Sequence, residues 1–231
     1  MFSSKILTRS ALLRPHASVA PTLTPRRTMS SPGDKIFFGP FEVTNQVFHT
    51  TPHSFAVVNI KPLLPGHVLV CPLKPHKRLT ELSPAELTDL MTTAQLVQRM
   101  LARHYFTTEG DEPAPPEAGS FNIALQDGPH AGQTVSHVHV HVLPRIPGAT
   151  GKEDPGPTDE IYTQMAGEEG NVGGALWDAQ MKERPVPGGA FPRIEDAERK
   201  ARSMGEMVAE AETFRGVLRA MGEQKPLDSV W

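Results

Sequence analysis

Within Ser136-His137-Val138-His139-Val140-His141-Val142-Leu143, residues 137–142 alternate strictly between polar and apolar. Period-two alternation fits an extended strand, in which successive side chains point to opposite faces. Val138, Val140 and Val142 then face a core, and His137, His139 and His141 share the other side, expected as an open surface row. A metal is the first ligand to consider, since histidine is the commonest metal-binding side chain. Strand geometry argues against one shared ion, because residues four apart lie about 13 Å from each other at roughly 3.3 Å per residue. A zinc–nitrogen bond spans only about 2 Å, so His137 and His141 do not meet at one tetrahedral site. No protein-bound metal is therefore expected.

An extended polyanion suits the row better. Imidazole is a competent nucleophile near neutral pH, where much of it is unprotonated. His139 stands between neighbours about 7 Å away on either side, and so can be assisted from both. One neighbour would stabilise charge on phosphoryl oxygens and the other would protonate a leaving group. This logic makes His139 the attacking group on a polyphosphate.

The rest of the chain predicts an α+β fold: an antiparallel sheet of about five strands, one long helix packed on it, and a C-terminal helix. Short edge strands are expected between Ile36 and Phe48, broken at Gly39-Pro40. Strands follow at 54–59 and 67–71, then at 121–125 and 135–143. Ser83, Pro84 and Glu86 form an N-cap, a first-turn proline and a capping box for a helix reaching about His104. Leu87, Leu90, Met91, Ala94, Val97 and Leu101 recur on one of its faces. A last helix is expected from Ile194 to about Met221, with Ala197, Ala201, Met204, Val208, Ala211, Phe214 and Leu218 inward.

Four segments result: 1–32 as a disordered or transit-like N-terminus, 33–148 as the catalytic domain, 149–193 as a flexible linker, and 194–231 as the C-terminal helix. Met1 to Gly33 contains no acidic residue but carries Lys5, Arg9, Arg14, Arg26 and Arg27. That composition fits either a mitochondrial transit peptide or a basic tail. A cytoplasmic or nuclear protein is expected, with a mitochondrial form if translation starts at Met1 rather than Met29. The net charge of −3 without a basic run argues against a nucleic-acid partner. No apolar run approaches the roughly 18 residues of a membrane span, so no membrane partner is expected. Cys71 is the sole cysteine, which excludes an internal disulfide framework; it reads as a small buried apolar residue.

The stretch Gln126-Asp127-Gly128-Pro129-His130-Ala131-Gly132-Gln133-Thr134-Val135, running on through the alternating segment to Leu143-Pro144-Arg145, resembles the signature of the histidine triad superfamily. Its flanks are most similar to the fragile histidine triad branch, the dinucleoside polyphosphate hydrolases of bis(5'-adenosyl)-triphosphatase type. The similarity covers about residues 36–146, with a weaker echo at Asp159-Glu160-Ile161-Tyr162 and in the final helix. It implies cleavage of a diadenosine tri- or tetraphosphate to AMP and ADP or ATP, through a nucleotidyl intermediate on His139. It also implies roles for His137, His141 and His67 in catalysis, Gln126 and Gln133 against phosphates, and Asn59 against a ribose. Phe38, Val57 and Leu69 would line an adenine pocket. A Mg2+ or Mn2+ ion would arrive with the substrate, and two sheets would meet in a homodimer. The loop at 107–120, the segment before the last helix and Ser136, where the family carries a basic residue, depart from the pattern. His76 and His130 are expected on the surface, Tyr162 as an exposed tyrosine, and Arg145 as either a salt-bridge partner or a phosphate contact. A nucleoside phosphoramidase and a nucleotide-binding signalling module are the rival readings.

Overall fold

The computed structural model describes residues 35–107, 113–151, 159, 161, 165, 172–181 and 201–223. The N-terminal segment and Tyr162 lie outside the described residues. The expected α+β architecture is what forms. Strands β1 (Phe37–Phe38) and β2 (Phe41–Glu42) make a small hairpin around Gly39-Pro40. Strands β3 (Val47–Thr50), β4 (Ser54–Val58), β5 (Val68–Pro72), β6 (Ser120–Leu125) and β7 (Val140–Arg145) form an antiparallel five-stranded sheet in the order β3-β4-β5-β7-β6.

Helix α1 (Pro84–Tyr105) starts at the expected capping box: the Ser83 hydroxyl accepts from the Glu86 N–H, and Glu86 returns a carboxylate to the Ser83 N–H. It packs across β4, β5 and β7. Its inward face is rotated from the expected one. Leu90, Ala94, Val97 and Leu101 are buried as expected, joined by Leu96 and Met100, whereas Leu87 and Met91 are 39% and 47% exposed. One turn of helix cannot present both the 87/91 and the 96/100 stripes to a single sheet, and the sheet takes the second.

Strand β7 begins at Val140 rather than at Val135, because the backbone before it has other partners. The His137 N–H turns back to the Val135 carbonyl, and the Val138 N–H donates to the His76 carbonyl. From Val140 onward the expected alternation holds. Val140 stands opposite Val70 and Val142 opposite Val68, all within the core, while His141 stands opposite Leu69 and Ala124.

Within the 149–193 stretch read as a linker, the described residues include helix α2 (Val172–Gln180), whose Ala175 and Leu176 are buried in the core. Trp177 of this helix meets Phe41 edge-on, with ring centroids 5.2 Å apart. The C-terminal helix α3 (Met204–Ala220) opens with a second capping box, Ser203 with Glu206, so residues 201–203 precede the helix. Met207, Ala211, Phe214 and Leu218 are buried, while Met204 is exposed. Residues 194–200 lie outside the described residues. No described helix is long and apolar enough to cross a membrane.

Candidate active site

The register of the sheet sets the site. Val57 lies opposite Leu69, Leu69 opposite His141, and His141 opposite Ala124, so these four side chains form one row on the same face. His67, just before β5, reaches into this row. The preceding Gly66 has φ +76° and admits no side chain, because a Cβ there would meet Tyr105 at 2.5 Å.

The histidines are not an open surface row. His137, His139 and His141 are 0%, 3% and 0% exposed; Phe38 folds over the first two, and His141 packs between His67 and His139. The Phe38 ring lies 5.5 Å from His137 and 5.1 Å from His139, centroid to centroid. Burial disfavours the charged imidazole. It pushes His137 down to about 4, and lowers His139 and, further, His141. All three rings are therefore neutral at pH 7, and their hydrogen bonds decide where each proton sits.

At His137, Nδ1 accepts the Gly39 N–H at 2.9 Å and Nε2 donates to the Pro72 carbonyl at 2.8 Å. Both nitrogens are thus committed within the protein, so this ring does not assist His139 as the spacing suggested. Its backbone does instead. His139 Nδ1 donates to the His137 carbonyl at 2.8 Å, which leaves the Nε2 lone pair of His139 as the nucleophilic position.

On the other side, His67 Nδ1 accepts the Leu63 N–H at 3.1 Å, so its proton lies on Nε2, which donates to His141 Nδ1 at 3.0 Å. His141 must then carry its own proton on Nε2, a buried atom with no hydrogen-bond partner among the described residues. The His139 and His141 rings are 5.0 Å apart. The site therefore presents a lone pair beside an unmet N–H donor, an arrangement that suits a tetrahedral phosphorus flanked by oxygens.

A HIT-domain family model matches residues 40–148. The chain is 39% identical over 188 residues to a bis(5'-nucleosyl)-tetraphosphatase (asymmetrical) of Schizosaccharomyces pombe, covering 79% of this chain and 93% of that one. It is 37% identical to a bifunctional bis(5'-adenosyl)-triphosphatase/adenylylsulfatase of Arabidopsis thaliana, covering 83% and 89%. The chain belongs to the histidine triad family, in its Fhit-like branch. Among solved structures, a Plasmodium falciparum diadenosine triphosphate hydrolase aligns with a TM-score of 0.52 at 26% identity, over 84% of this chain and 88% of that one.

The remaining expected residues of this histidine triad protein fall into two groups. Phe38, Val57, Leu69 and Asn59 gather at the histidines. Asn59 is 1% exposed; its Oδ1 accepts the Lys61 N–H at 3.0 Å and its Nδ2 lies 3.4 Å from His67 Nδ1. Gln133 instead shapes the 128–133 turn, since Oε1 accepts the Gly128 N–H and Nε2 donates to the Lys77 carbonyl. Gln126 donates to the Met165 carbonyl at 3.1 Å. Arg145 pairs with Asp159 at 2.7 Å and also bonds Asn122 and Thr150, which makes it a salt-bridge partner.

His130 is exposed as expected, but His76 is buried. The His76 ring meets Glu86 at 3.0 Å, and its carbonyl holds Val138. The signal for that role was the acidic pair Glu81 and Glu86 following it, which spacing alone does not resolve. A cleft of about 580 Å³ lined by Glu117, Asn122, Arg145 and Asp159 lies away from the histidines, and within it Arg145 and Asp159 pair with each other.

Proposed function

We propose that the chain hydrolyses diadenosine polyphosphates in two displacements at His139. The observation that carries this reading is the hydrogen bond from His139 Nδ1 to the His137 carbonyl, which leaves an Nε2 lone pair on a ring 5.0 Å from that of the His141 donor. In the first step Nε2 bonds to the α-phosphorus while the bond from that phosphorus to the bridging oxygen breaks. ADP leaves from the triphosphate and ATP from the tetraphosphate, each as an anion. The imidazolium so formed keeps its Nδ1 proton on the His137 carbonyl, and His141 Nε2–H supports a non-bridging oxygen. Water then attacks the same phosphorus, the N–P bond breaks, AMP departs, and the water's second proton goes to solvent.

The leaving group separates this reading from phosphoramidate cleavage. A phosphate anhydride expels an already stable anion, whereas an amine must be protonated to leave. Burial keeps the three triad rings neutral, and the His137 Nε2 proton is held by the Pro72 carbonyl. An anhydride thus leaves without drawing on the His141 Nε2 proton, which stays available to a phosphoryl oxygen. The names of the fission-yeast and Arabidopsis relatives point the same way.

The polyphosphate is taken as its Mg2+ or Mn2+ complex. The ion travels with the substrate, whose phosphate oxygens supply its ligands. A homodimer through β6 completes the reading. Among the described residues that strand pairs with β7 alone and its Ile123 is 40% exposed, and such an edge offers a second copy a ladder to extend.

The test compares diadenosine triphosphate with an adenosine phosphoramidate under steady-state conditions. Faster turnover of the first is expected, with AMP trapped on His139 after acid-free quenching and peptide mapping. Faster turnover of the phosphoramidate, or a His139→Asn variant that hydrolyses at the wild-type rate, contradicts the proposal.

A further inference from the structure

We propose that Arg202 is a positioning residue for Asn59, so that the start of the C-terminal helix fixes the nucleoside end of the site. The inference rests on the reading of Asn59 as a ribose contact.

Strand β4 ends at Val58, which leaves the Asn59 and Ile60 carbonyls beyond the ladder. Both are taken by one residue, 143 positions away in the chain. The Arg202 backbone N–H donates to the Ile60 carbonyl at 2.9 Å. Its guanidinium donates to the Asn59 carbonyl through Nε at 3.1 Å and also through Nη2. The same Nη2 donates to Glu210 on α3 at 2.7 Å. The two side chains are 19% and 18% exposed, so water competes weakly for this clamp.

The consequence runs inward. With its backbone clamped, Asn59 holds its amide against the Lys61 N–H and the His67 ring, and His67 fixes the tautomer of His141. A planar fork that can place two donors on one carbonyl while meeting a carboxylate is a property of arginine that lysine lacks. The helix does not depend on Arg202 for docking. Met207, Ala211, Phe214 and Leu218 are buried in the core, Phe214 meets Phe48 at 5.2 Å, and Arg215 bonds the Val47 carbonyl.

The experiment measures kcat and KM of the full chain with diadenosine triphosphate and with its 2′-deoxyadenosine counterpart. The proteins are wild type, Asn59→Ala, Arg202→Ala, the double variant, and Arg215→Ala as a variant that removes a helix anchor remote from Asn59. The expected result is a preference for the ribose substrate that falls about tenfold in kcat/KM in Asn59→Ala and equally in Arg202→Ala, carried by KM. The double variant should lose no more, and Arg215→Ala should keep the preference even if its melting temperature falls. A preference retained in Arg202→Ala but lost in Asn59→Ala overturns the clamp alone. A preference retained in Asn59→Ala overturns the ribose reading and the clamp with it.

Discussion

His139 is held by the backbone of His137, two residues back: its Nδ1 donates to that carbonyl at 2.8 Å, while the His137 ring itself is pinned between Gly39 and Pro72. The chemistry thus rests on a buried, uncharged set of rings, and pH acts on that burial.

An unfolded histidine titrates near 6.5, whereas His137 in the folded chain titrates at about 4 and His139 and His141 are also lowered. Between those values the unfolded chain binds more protons than the folded one. Stability should be intact above pH 6.5 and fall as pH drops toward 4, by ~3 kcal/mol from His137 alone over the whole window. Urea midpoints at pH 7, 6 and 5 measure this. The acid limb of kcat/KM should lie below 6.5, since His139 stays unprotonated longer than a free imidazole; a limb above pH 7 would contradict the assignment.

Glu86 serves two partners, the Ser83 cap and the buried His76. Its carboxyl is drawn down to about 2, chiefly by the His76 bond. Ser83→Ala should cost about 1 kcal/mol, as for other lost caps. Glu86→Ala should cost more, by about 1–3 kcal/mol, because it also strands the His76 ring away from water. Chemical denaturation of the two variants gives the difference directly. Equal losses would mean that His76 finds another partner.

Gly66 combines a left-handed backbone with close packing, its would-be Cβ lying 2.5 Å from Tyr105 and 2.9 Å from Pro144. Gly66→Ala should lose about 1–2 kcal/mol from the backbone conformation alone. The clash adds to that and displaces His67, the next residue. Turnover should therefore fall further than the shift in melting temperature explains when both are measured on the folded fraction.

Much of this was legible in the chain. Helix α1 was readable from Ser83, Pro84 and Glu86 because capping is local, and the valine–histidine alternation placed Val140, His141 and Val142 on their correct faces. Leu87 and Met91 misled because helical spacing gives a stripe without saying which neighbouring stripe the sheet will cover. The start of β7 was hidden because the partners of Val138 and His137 belong to the distant segment at 72–76. The second box, Ser203 with Glu206, is as local a signal as the first, but the apolar spacing from Ala197 onward extends a helical pattern upstream of it. Long-range hydrogen bonds such as Arg202 to Asn59 have no periodicity, and sequence spacing cannot announce them.

The His141 Nε2 proton meets no acceptor among the described residues. A desolvated N–H without an acceptor costs on the order of 1–3 kcal/mol, and an apolar ligand cannot relieve it. An oxygen seated there can, so an anion resembling the product should raise the melting temperature even where it cannot react.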